Sequence, residues 1–143
     1  MLGQPISSIL EPRKLVVAAP DATVSEAAKL MKDGNVSALL VVEGRRLVGI
    51  FTERDAVQRV IAAGRDPATT RMSEVMTPDP KCVSPDDLFG YALILMHDNG
   101  FRHAPVVQDG RPVGVVSARN ALDPDLEEFA AEANRREHFR KRA

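Results

Sequence analysis

The sequence predicts an α/β fold of two strand–helix–strand–strand–helix units, related by a pseudo-two-fold axis and followed by a C-terminal helix. Three observations carry that expectation. The chain repeats itself: residues 16–56 laid on 81–121, a shift of 65 without a gap, match identically at 13 of 41 positions. The matches include Pro20/Pro85, Asp21/Asp86, Met31/Met96, Gly49/Gly114 and Arg54/Arg119, in register and not confined to common apolar residues. Each copy also alternates a helix-periodic stretch with two apolar runs across a Gly-containing turn. Finally, 143 residues with 44 % hydrophobic and 27 % charged side chains suit one globular domain. Units of about 60 residues bury little core alone, so the two should pack on each other.

Local chemistry justifies each element. Leu15 to Ala18 is a short apolar strand before Pro20-Asp21. Thr23-Val24-Ser25-Glu26 has the spacing of a capping box, opening a helix with Val24, Ala27, Ala28 and Met31 on one face. It should stop near Asp33-Gly34-Asn35, where Gly or Asn takes the left-handed conformation. Ala38 to Val42 and Leu47 to Phe51 read as a hairpin turning at Glu43-Gly44-Arg45. Thr52-Glu53-Arg54-Asp55 then starts a second helix ending at Gly64. The second unit follows suit, with a strand from Lys81 to Ser84 and a helix from Asp87 to Asn99. Its hairpin joins Ala104–Gln108 to Pro112–Val116, and Ser117-Ala118-Arg119-Asn120 opens its last helix. Cys82, inside a predicted strand, reads as a small buried side chain.

The expected boundaries are 5–64 for the first unit, 65–75 for the joining stretch and 76–123 for the second unit, with Met72 to Pro78 leading into it. Residues 124–143 form a C-terminal helix and basic tail. Leu126, Phe129, Ala130 and Ala133 make a narrow apolar stripe on it. Glu127, Glu128 and Glu132 come early and Arg135, Arg136, Arg140, Lys141 and Arg142 late, the order a helix dipole favours. This reads as a docked helix with a solvated charged end.

Composition excludes several function classes. With 19 basic and 20 acidic side chains, the chain lacks the electrostatic footprint of a general nucleic-acid binder. No Trp and 4 % aromatics argue against a stacking platform for single strands. One cysteine rules out an intramolecular disulfide or a cysteine-based zinc site, and His97, His103 and His138 lack ligand spacing. No apolar run nears the ~18 residues of a membrane span. The start, Met1 to Pro5, is unlike a signal peptide. The cytoplasm is the expected compartment, and neither a Ser/His/Asp arrangement nor a phosphate loop suggests an enzyme.

The informative element is a recurring Gly-x-x-[Thr/Ser]-x-x-[Asp/Asn], at Gly49 to Asp55 and again at Gly114 to Asn120. As structure, Thr52 and Ser117 are good N-caps, and Asp55 and Asn120 can return the bond. As function, a helix N-terminus at a strand end offers free N–H groups to an anion. Asp55 sits where a carboxylate can accept from both hydroxyls of a ribose. Arg54 and Arg119 add charge suited to phosphate.

The duplicated unit, this motif, Phe101-Arg102-His103-Ala104-Pro105-Val106-Val107 and Met76-Thr77-Pro78 together resemble the cystathionine-β-synthase (CBS) domain pair, over about residues 5–123. The resemblance implies an adenosine ligand in a cleft between the repeats: AMP, ADP or ATP, with S-adenosylmethionine and NAD ranked behind, and no obligatory cofactor. It also implies a homodimer and regulation of an unidentified partner protein. Adenine would rest on Val17, Ala18, Ala38 and Leu40, with Asp55 and Thr52 at the ribose. Arg54, Arg102, His103 and Arg119 would serve the phosphates, beside Pro105 of the strand motif. Two departures stand out. Asn120 replaces the Asp, so Asn120 and Ser117 form a weaker ribose end, and Ser37-Ala38-Leu39-Leu40 replaces Arg102-His103-Ala104-Pro105. The two clefts should therefore be unequal. The dimer would use the helices at 24–33 and 88–98, or those after Thr52 and Ser117, where Val57, Val60 and Ile61 supply an apolar stripe. The rival readings are a ligand-free structural dimerisation module, a small enzyme with a nonstandard site, and a DNA binder using the basic tail.

Overall fold

Thr23 opens the first helix as its spacing requires. Its Oγ1 accepts from the Glu26 N–H at 3.2 Å, and the Glu26 carboxylate accepts from the Thr23 N–H at 3.2 Å, satisfying two donors that helix geometry leaves free. The computed structural model describes residues 2–11, 14–121, 132, 133, 135 and 136. In it this helix, α1, spans Val24–Gly34 and ends on Asn35 in the left-handed conformation. Val24, Ala27 and Met31 are buried, whereas Ala28 is exposed. The hairpin forms as β2 (Ala38–Glu43) and β3 (Arg46–Thr52). The first strand, β1, is only Val17–Ala18, parallel to β2.

After β3, α2 makes one α-turn at Glu53–Asp55 and continues as a π-helix through Ala56–Ile61, short of the predicted end at Gly64. Then come α3 (Met72–Val75) and β4 (Thr77–Pro78), which completes a sheet in the order β1-β2-β3-β4. The second unit comprises α4 (Phe89–Asn99), β5 (His103–Gln108) and β6 (Arg111–Ser117). Both hairpins carry a bulge at the same register position, Val41/Val42 and Val106/Val107. The strand expected at Lys81–Ser84 shrinks to one parallel bridge, Val83 to Val106. Cys82 is exposed rather than buried: side chains alternate along an extended segment, and Val83 takes the inward position. Where a helix was expected after Ser117, residues Ala118–Ala121 form a 3-10 turn. The C-terminal helix expected within 124–143 lies outside the described residues, apart from its short helical pieces, where Arg136 Nη2 donates to Glu132 Oε1 at 2.9 Å.

Each unit has its own core, and each core borrows from outside its unit. Leu39, Val41, Phe51 and Val60 pack with α1 and with Met72 and Val75 of α3. The stretch expected to join the units is thus built into the first one, tied by Met72 N–H to Ala22 O at 2.8 Å and Val24 N–H to Thr70 O at 2.9 Å. The N-terminal segment does the same for the second unit. Ile6 packs among Val83, Phe89, Ala92 and Met96, with Ile6 N–H donating to Asp87 O at 2.9 Å. The motif glycines make room for these crossings. A Cβ on Gly114 would meet Leu10 Cδ2 at 2.8 Å, and one on Gly49 would run into the Met76 side chain, so close approach, not backbone conformation, demands glycine here.

Candidate functional site

The two units meet where β3 approaches β6. Ala38, Leu40 and Ile50 form a buried patch against which Val115 packs. Two clefts open along this seam. One, of about 1430 Å³, gathers Thr52, Arg54 and Asp55 from the β3–α2 junction and Phe101, Arg102 and His103 from the start of β5. Ser117 at the end of β6, Arg119 after it, and Thr77, Asp79, Pro80 and Lys81 around β4, complete it. The other, of about 880 Å³, holds Asn120, Ser117 and Arg119 with Ser37, Ala38, Lys14, Lys32 and His103.

Asp55, Thr52, Arg54 and Arg102 line only the first of these clefts, and Asn120 and Ala38 only the second. His103, Ser117 and Arg119 border both, so the second cleft also has basic groups, with Lys14 and Lys32 beside them. Val17, Ala18, Leu40 and Pro105 line neither. Val17 is 45 % exposed at the sheet edge, Ala18 packs in the first core, Leu40 is sealed in the seam, and Pro105 is buried in β5. The apolar wall of the Asp55 cleft comes instead from Ile50, Pro80 and Phe101. Thr77 to Lys81 were not among the predicted site residues. The Asp79-Pro80 dipeptide was the available signal that this stretch leaves the sheet edge, and Asp79 does take a positive φ of 44°.

Both motifs close as caps. Asp55 Oδ2 accepts from Thr52 N–H at 2.9 Å and Thr52 Oγ1–H at 3.1 Å, and Asp55 N–H donates to Thr52 Oγ1 at 3.2 Å. Asn120 Oδ1 accepts from Ser117 N–H at 2.8 Å and Ser117 Oγ–H at 3.2 Å. The two share the bonds to the side-chain oxygen, only the first has the reciprocal backbone bond, and what they leave over differs. Asp55 keeps a second carboxylate oxygen, an acceptor; Asn120 keeps an amide NH₂, a donor.

His103 borders both clefts. Its Nε2 is hydrogen-bonded to Ser37 Oγ at 2.9 Å, across the two units. Burial holds its pKa below the ordinary value and Arg102 pushes the same way, while Glu53 and Asp55 push against them. The neutral imidazole is therefore the form the fold stabilises. The unfolded chain protonates as pH falls through about 6.5, before the folded chain does. Stability present at neutral pH is lost on acidification through that window. Denaturation midpoints measured from pH 7.5 to 5 should fall, and His103→Gln should flatten the decline.

The chain matches the family model for the CBS domain twice, over residues 6–62 and 72–125. This chain belongs to the CBS domain family. As a CBS pair it is 38 % identical to the CBS domain-containing protein YhcV of Bacillus subtilis, over 73 % of this chain and 74 % of that one. It is 37 % identical to the CBS domain-containing protein CBSCBSPB3 of Arabidopsis thaliana over 76 % of its own length, but spans only 20 % of that longer relative. The CBS domain protein PAE2072 from Pyrobaculum aerophilum, solved in complex with AMP, superposes with a TM-score of 0.74 at 26 % identity, covering 82 % of this chain and 89 % of that one. The CBS domain pair of MJ0100, solved with 5′-methylthioadenosine and S-adenosylmethionine, has the same score and identity, covering 82 % and 96 %.

Proposed function

We propose that this CBS pair is a non-catalytic regulatory module that binds an adenine nucleotide in the Asp55 cleft and signals its occupancy to a separate protein partner. The carrying observation is the convergence of the Thr52–Asp55 cap with Arg54, Arg102 and Arg119 on one cleft. Among the described residues none of these guanidiniums has a carboxylate partner, so each is free for a phosphate. Arg54, Arg59, Lys81, Arg102 and Arg119 outnumber Glu53, Asp55 and Asp79 around the cleft. That excess favours AMP, ADP or ATP over the cationic S-adenosylmethionine. Asp55 holds the ribose, and Ile50, Pro80 and Phe101 supply the surface for the base. The AMP complex of the Pyrobaculum relative supports the ligand class.

A thermal-shift screen over AMP, ADP, ATP, NAD and S-adenosylmethionine tests the reading. A nucleotide at 100 times its dissociation constant adds about 2.7 kcal/mol. A melting temperature unmoved by every adenine nucleotide overturns it. The closed caps would then favour a ligand-free dimerisation module.

The module is further proposed to act as a homodimer in the cytoplasm. Val57 and Ile61 on α2 are 56 % and 72 % exposed, and Tyr91 and Ile94 on α4 are 53 % and 61 % exposed, apolar surface that a second copy would cover. Val60, expected on the same stripe, instead faces the first core. Among the described residues no helix is long and apolar enough to cross a membrane. Light scattering should read twice the 15.6 kDa chain mass, and a monomer at tens of micromolar overturns the dimer.

A further inference from the structure

Arg59 stands outside the duplicated motif, yet it touches both walls of the Asp55 cleft. Its Nε lies 3.5 Å from Asp55 Oδ1. Its Nη1 donates to the carbonyls of Val75 at 3.2 Å and Met76 at 3.0 Å, directly before Thr77 of the opposite wall. The single α-turn that carries Asp55 widens into the π-helix at Ala56, and Arg59 projects from that wide segment; such segments recur at functional positions. Asp55 Oδ2 is already filled by two bonds from Thr52. Oδ1 is the oxygen left for a ribose hydroxyl, and Arg59 is its charged partner among the described residues. The second unit has neither member: 65 positions on stand Asn120 and Pro124.

We infer that Arg59 is a positioning residue for ribonucleotide selectivity, one that aims Asp55 Oδ1 at the ribose hydroxyls and ties α2 to the Thr77–Lys81 wall. The inference rests on the nucleotide reading above. One planar guanidinium can hold a carboxylate and two carbonyls at once, in fixed relative directions. A lysine ammonium on a flexible stem keeps the charge and loses the fork. Because Arg59 acts through Asp55, its contribution appears only with ligands that carry the hydroxyls Asp55 reads.

The experiment is calorimetric titration of AMP and 2′,3′-dideoxy-AMP into the wild-type chain, Arg59→Lys and Arg59→Met. The wild type should favour AMP by about tenfold or more, the worth of one charge-assisted hydrogen bond. Arg59→Met should weaken AMP about tenfold and leave the dideoxy nucleotide within about twofold, so that the ratio approaches one. Arg59→Lys should fall between. A purely structural role would weaken both ligands alike, and a ratio unchanged in Arg59→Met overturns the assignment alone. A wild type that binds neither nucleotide overturns the nucleotide reading and this assignment with it. Should Arg59→Met fail to fold, the ratio in Arg59→Lys decides: a lower ratio supports the assignment, and an unchanged one overturns it.

Discussion

Asp55→Ala is expected to abolish most nucleotide binding, while Asn120→Ala changes it little. Both variants remove the side chain that accepts from the N–H and hydroxyl of the preceding Thr52 or Ser117, so Asn120→Ala controls for that part of the structural loss. What differs is the group each cap leaves facing its cleft. Asp55 Oδ1 is a charged acceptor that suits the hydroxyl donors of a ribose, and a hydrogen bond to a charged group contributes about 1.5–3 kcal/mol. Its loss weakens binding by roughly ten- to a hundredfold. Asn120 spends its one oxygen on the Ser117 cap, and the remaining amide has only hydrogens to offer. Asn120→Asp would install the missing acceptor beside Ser117 and should create a second, weaker site. Calorimetry on the three variants decides the matter. Equal losses in the two alanine variants, or no loss in either, would leave capping as the motif's whole role.

Ile6→Ala should cost about 2–5 kcal/mol, the range for truncating a fully buried aliphatic side chain. Against a typical total of about 5–15 kcal/mol, that is a large share from a residue so near the chain start. Ile6 is 0 % exposed and belongs to the second unit's core. The backbone around it is tied to α4 and the residues before it, with Phe89 N–H donating to Gln4 O and Gly90 N–H to Leu2 O, both at 2.9 Å. The damage should therefore appear in the second unit, remote in sequence. Hydrogen exchange should find β5 and β6 losing protection while β2 and β3 keep theirs. Met72→Ala is the counterpart, buried in the first core, and should show the reverse pattern. A loss in Ile6→Ala below about 1 kcal/mol would mean the segment is not docked in solution.

The doubled architecture was legible because patterning at fixed spacing encodes local structure. Thr23 and Glu26 form their capping box, Asn35 ends α1, and both hairpins turn at their glycines. The exchange of leading segments was not legible, because Ile6 and Met72 look the same whichever core receives them, and no local signal carries tertiary choice. The same blindness displaced the expected base-binding residues. Ala18 and Leu40 are apolar strand residues, and periodicity marks them as buried without saying whether a core or a cleft buries them. The polar residues do share a cleft. Thr52 and Asp55 were read from their cap spacing, and Arg102 and His103 from the family resemblance, and all four line the same opening. Arg59 carried no signal, since its role exists only once Val75 and Met76 arrive beside α2.

The borrowed segments also impose an order on folding. Residues 2–10 dock on a core drawn from residues 83–116, so their site is complete only once that later stretch is in place. Such distant pairing raises contact order and slows the final docking step. It also places that step late, after the second hairpin has formed. A chevron plot for Ile6→Val should accordingly shift in its unfolding arm and leave the folding arm where it was. A second half cut out from residue 76 onward would leave behind Ile6, which closes its core, whereas the first half keeps its closing segment as long as the cut falls beyond Met76.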